Sequence, residues 1–120
     1  MPATATLTTY KMYIDGQWVD ASSGGHFESD DPFRAEPWAL IPRGTASDVD
    51  RAVRAAHKPF TSGEWPKLTA SRRGALLRRL GDLVTQRSKQ LAETEVRDSG
   101  KLYAEMSMQT AYMAQWYHYY

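Results

Sequence analysis

Hydrophobic positions change their period once along this chain, near Thr45. Before that point the apolar residues come in short runs broken by turn residues. "KMYIDGQWVD" places Met12, Tyr13 and Ile14 before, and Trp18 and Val19 after, an Asp15-Gly16 pair. Two strand-like runs around Asp-Gly predict a two-residue β-hairpin, because glycine tolerates the positive φ that such a turn needs. "ASSGG" then breaks the pattern, and "HFESDDPF" predicts a short extended piece before Pro32. Trp38–Ile41 reads as a strand between Pro37 and Pro42. Prolines in those places argue for an edge strand or a short stretch. Residues 1–10 are small and polar and are expected to be a flexible N-terminus.

After Thr45 the period becomes helical. In "TASDVDRAVRAAHKPF" Thr45 is the expected cap, with acidic residues in the first turn, where they complement the helix dipole. Val49, Ala52, Val53, Ala56 and Phe60 make one apolar stripe, Asp50 and Arg54 are spaced to pair, and Pro59 should end or kink the helix. "TSGEWPKL" reads as a loop. Thr69 or Ser71 then caps a second helix, with Leu76, Leu77, Leu80, Leu83 and Val84 on one face and arginines on the others. A third helix is expected to start at Ser88 and stop at Gly100, with Leu91, Ala92 and Val96 inward and Glu93 paired to Arg97. The fourth runs from about Tyr103. Met106, Met113, Tyr117 and Tyr120 fall near one stripe, and Met108, Tyr112, Trp116 and Tyr119 near the next. Stripes that cover over half of a helix call for neighbours on more than one side.

Composition adds little to this. The chain has 120 residues, 42% apolar and 24% charged, as in an ordinary globular domain of modest core. Net charge is +1. Residues 1–45 carry three basic and six acidic groups, residues 46–101 twelve and seven, and residues 102–120 only Glu105. The central excess is mild, and the pairs Arg72-Arg73 and Arg78-Arg79 read as a solvated helix face, so no nucleic-acid partner is expected. The absence of cysteine excludes disulfides, thiolate metal sites and a cysteine nucleophile from this stretch. His26, His57 and His118 lack the spacing of metal ligands, His118 lying among aromatics. No Gly-rich phosphate loop and no serine nucleophile motif occurs, and no carboxylate pair stands out as an acid and base. No run is long enough to span a bilayer, so no membrane association is expected and a cytoplasmic location is.

The order of segments carries more. "YIDGQWVDASSGGHFESDDP", "DVDRAVRAA" and "LLRRLGDLV…LAETEVRDSGK", followed by the aromatic helix, resemble the N-terminal part of the NAD(P)-dependent aldehyde dehydrogenase superfamily over about residues 12–120. That resemblance implies an α/β family with a Rossmann-like cofactor domain. This chain alone should be α+β, a β-hairpin and short strands followed by about four helices. It divides into a flexible 1–10 and an incomplete cofactor-domain segment over 11–120. Asp31-Pro32-Phe33-Arg34-Ala35 stands where the family commonly has Asn-Pro-x-Thr-Gly, and Pro59 where a helix former is usual.

The functional implications follow from the resemblance alone. The whole enzyme would use NAD or NADP to oxidise an aldehyde through a cysteine thiohemiacetal, and would form a homo-oligomer. The catalytic cysteine, general-base glutamate, oxyanion-hole asparagine and most cofactor contacts lie beyond the matched region. No catalytic or cofactor-binding residue is therefore assigned here, and the chain alone should be inactive. The final helix should pack against the remainder of the enzyme; the alternative is a stand-alone interaction module using the same helix. Some family members hold K⁺ or Na⁺ near the Asp-x-Gly-Lys turn, which suggests Asp98, Ser29 and the carbonyl of Asp30. Asp98 has a second reading, a contact with the turn at Gly100 and Lys101.

Overall fold

A computed structural model describes residues 7–120. They comprise five strands and four α-helices: β1 (Thr8–Thr9), β2 (Met12–Ile14), β3 (Gln17–Val19), β4 (His26–Asp31), β5 (Glu36–Pro42), α1 (Ala46–Thr61), α2 (Ala70–Gln86), α3 (Ser88–Ser99) and α4 (Tyr103–Tyr119). Two compact units contain them, residues 7–30 with 35–66, and residues 31–34 with 67–120.

In the first unit β2 and β3 pair antiparallel, Met12 opposite Val19 and Ile14 opposite Gln17. Asp15 and Gly16 both have positive φ, 52° and 74°, which is the geometry of the predicted Asp-Gly turn. Thr8–Thr9 pair parallel to Ala39–Leu40, so the strand begins within the stretch expected to be flexible. The remainder of that expectation, over residues 1–6, lies outside the described residues.

The sheet order β1-β5-β4 corrects a second expectation, because β5 is the central strand rather than an edge. Pro37 and Pro42 sit at its second and last positions, so the pairing core between them keeps its N–H groups. Trp38 and Ala39 are buried there, and Tyr10 meets the Trp38 ring edge-on at 5.8 Å.

Helix α1 runs two residues past Pro59, where an end or kink was expected. Proline so near a C-terminus removes little of the ladder. The last carbonyls are met locally. Ser62 N–H donates to the Lys58 carbonyl at 2.9 Å, and the Thr61 hydroxyl donates to that of His57 at 3.0 Å. The Asp50–Arg54 ion pair forms as spaced.

The second unit is a three-helix layer in which α4 packs on both α2 and α3. Thr69 caps α2, its hydroxyl accepting from Arg72 N–H. Helix α3 starts at Ser88, as expected. Arg87 holds the cap position with no side-chain bond, while the Ser88 carbonyl accepts from the Thr110 hydroxyl of α4 at 3.1 Å. Gly100 ends α3 with φ 71°, as its position predicts. Glu93 pairs with Lys89 at 3.9 Å.

The faces that meet are narrower than the leucine pattern suggests. Gly74 and Gly81 are the buried residues of α2, whereas Leu76, Leu80 and Leu83 are exposed. On α4 the buried line is Met106, Thr110 and Ala114. Helices approach closely where side chains are small, and a Cβ on Gly81 would stand 3.1 Å from the Ala114 carbonyl and 2.7 Å from the His118 ring. Among the described residues no helix is long and apolar enough to cross a membrane.

Two substitutions test these packing statements. Gly81→Val should lower stability by roughly 1–3 kcal/mol, because the added bulk separates α2 from α4. Ala35, at φ 54°, occupies a left-handed conformation that disfavours any Cβ. Ala35→Gly should therefore raise stability by roughly 0.5–1 kcal/mol. Thermal melts followed by circular dichroism read both; an unchanged midpoint for Gly81→Val would contradict the close approach.

Candidate functional site

The best-connected polar centre is at the start of α1. Thr45 and Asp48 form a capping box. Asp48 N–H donates to the Thr45 hydroxyl at 3.4 Å, and Thr45 N–H donates to Asp48 Oδ2 at 2.9 Å. Ser22, in the loop after β3, brings two more donors to the same oxygen, its N–H at 3.1 Å and its hydroxyl at 3.1 Å. Arg51 Nη2 donates to Oδ1 at 3.0 Å. The carboxylate is buried, yet every donor around it favours the charged form. The Thr45 N–H and then the Ser22 N–H hold its pKa down at about 2, from an ordinary 3.8, against the opposing effect of burial. Thr45 and the first-turn acid were legible in the sequence. Ser22 was not, because it is a loop residue far from α1 in the chain.

This centre fastens a loop to a helix and offers no chemistry to a substrate, because its donors are all used on one carboxylate that is charged at neutral pH. It also fills the N-terminus of α1 with negative charge, which disfavours a phosphate there.

The residues suggested for a monovalent cation are Ser29, Asp30 and Asp98. Ser29 and Asp30 lie in β4, half-buried and exposed respectively, and Asp98 is exposed in the last turn of α3. They belong to different units. Among the described residues no group of three His, Cys, Asp or Glu side chains is placed to hold a metal ion. Around Asp98 the turn is fastened by its neighbours: the Ser99 hydroxyl donates to the Glu95 carbonyl at 2.6 Å, and Lys101 Nζ lies 2.9 Å from Glu95. The Asp31 side chain organises the preceding turn by accepting from Phe33 N–H at 3.0 Å and Arg34 N–H at 3.2 Å. Asx side chains close turns in this way.

The histidines do not converge. His26 is in β4, His57 is exposed on α1, and His118 is held by Asp82 of α2, Nε2 to Oδ1 3.2 Å, rather than lying only among aromatics.

The outer side of α4 is an exposed apolar face of the second unit. Met108, Tyr112, Trp116 and Tyr119 are 68%, 61%, 58% and 80% exposed. Tyr112 and Trp116 stack edge-on at 6.0 Å, and a shallow groove runs past Gln115 and His118. Of the two predicted stripes, Met106 and Tyr117 of the first are buried or half-buried, and the second is wholly exposed.

Comparison with known proteins places the chain in a family. Residues 18–120 match the model of the aldehyde dehydrogenase family. The chain belongs to that family. It is 41% identical over 114 residues to the (Z)-2-((N-methylformamido)methylene)-5-hydroxybutyrolactone dehydrogenase of Acinetobacter baylyi, covering 95% of this chain and 23% of that one. It is 43% identical over 102 residues to the hydroxyisobutyraldehyde dehydrogenase of Mycolicibacterium austroafricanum, covering 85% and 20%. Its structure matches the NAD-dependent aldehyde dehydrogenase of Sinorhizobium meliloti with a TM-score of 0.89 at 32% identity, over 99% of this chain and 24% of that one. An NAD⁺ complex of the aldehyde dehydrogenase from Bacillus cereus matches with a TM-score of 0.87 at 32% identity, over 92% and 23%. The chain thus spans about a quarter or less of these aldehyde dehydrogenases, as an N-terminal portion of a larger enzyme, and its α+β arrangement is part of their fold.

The Asp48 centre gives a prediction whose sign is fixed. A carboxylate whose pKa is lowered on folding contributes stability that is full above 3.8 and is lost as the pH falls through about 2. Asp48→Asn removes that contribution and turns an amide N–H₂ toward donors. Melting midpoints measured from neutral pH down to about 2 should then be lower and should fall less steeply below 3.8 than those of the parent chain. Parallel curves would contradict the assignment.

Proposed function

We propose that this chain is the N-terminal scaffold of an NAD(P)-dependent aldehyde dehydrogenase that oxidises an aldehyde to a carboxylic acid in the cytoplasm. The observation that carries the reading is the coincidence of the family match over residues 18–120 with close structural agreement over nearly the whole chain. The chemistry of such an enzyme needs a thiolate nucleophile and donors for the oxyanion, with the dinucleotide accepting hydride when bound.

This stretch has no cysteine and no asparagine, so it supplies neither the nucleophile nor the amide donor. It does not fit the dinucleotide either. The sequence has no G-x-G-x-x-G, and the N-terminus of α1 is already occupied by the Asp48 carboxylate. No step of the reaction is therefore assigned to these residues. Their contribution is structural, with apolar faces for the cofactor domain to cover. In the complete enzyme, which we take to be a homo-oligomer, Ser29, the carbonyl of Asp30 and Asp98 would offer hard oxygen ligands to K⁺ or Na⁺.

Two measurements test the reading. Release of NADH or NADPH from a panel of aldehydes should be absent for the 120-residue chain and present for a longer polypeptide that carries it with a downstream cysteine. Turnover by the short chain alone would refute the scaffold role. In the longer polypeptide Asp98→Ala should abolish thermal stabilisation by K⁺ or Na⁺, and an unchanged salt response would remove Asp98 from the cation site.

A further inference from the structure

We draw no further inference here: the strongest candidate, the cleft of the second unit at the start of α4 lined by Arg34, Arg97 and Lys101, rests on a helix N-terminus beside which Arg34 and Lys101 are already paired with Asp31 and Glu95, and nothing among the described residues points to a ligand there.

Discussion

The constraint behind most of this structure is that its helices carry more apolar surface than they can give one another. In the second unit α4 has hydrophobic residues around nearly its whole circumference. It can satisfy only the side that meets α2 and α3. That side is lined by Met106, Thr110 and Ala114, with Gly81 of α2 against Ala114 and Gly74 near the Tyr120 carbonyl, so the contact is close but buries little side-chain area. No large side chain is fully buried anywhere among the described residues. A contact made of small residues fixes geometry well and contributes modest hydrophobic stabilisation, since the latter scales with apolar area.

Polar fastenings compensate where the core is thin. The Thr110 hydroxyl reaches the Ser88 carbonyl and also its own helix at Met106, 2.8 Å away, so a buried hydroxyl is fully used between α3 and α4. In the first unit Asp48 gathers Ser22, Thr45 and Arg51 and so holds the loop after the hairpin on the start of α1. These groups set positions.

Asp31 and Ala35 bracket the turn between β4 and β5. Asp31 supplies the acceptor that closes the turn, whereas Ala35 accepts a left-handed φ of 54° with a Cβ in place. That strain is local, and the strands on either side are paired.

Much of the architecture was legible in the residues. Asp15-Gly16 dictated its hairpin because only a few residue types accept two positive φ values. Thr45, Thr69 and Gly100 placed helix ends because capping is a local matter between neighbours in sequence. The lack of cysteine settled what this stretch cannot do. Other features needed the tertiary structure. The central place of β5 depends on Thr8–Thr9 joining its far side, a pairing between distant segments. The exposure of Leu76, Leu80 and Leu83 depends on α2 choosing its glycine face for α4. Periodicity marks which residues share a side of a helix. Which side is buried is decided by how closely backbones can approach, and that depends on partners brought together from elsewhere in the chain.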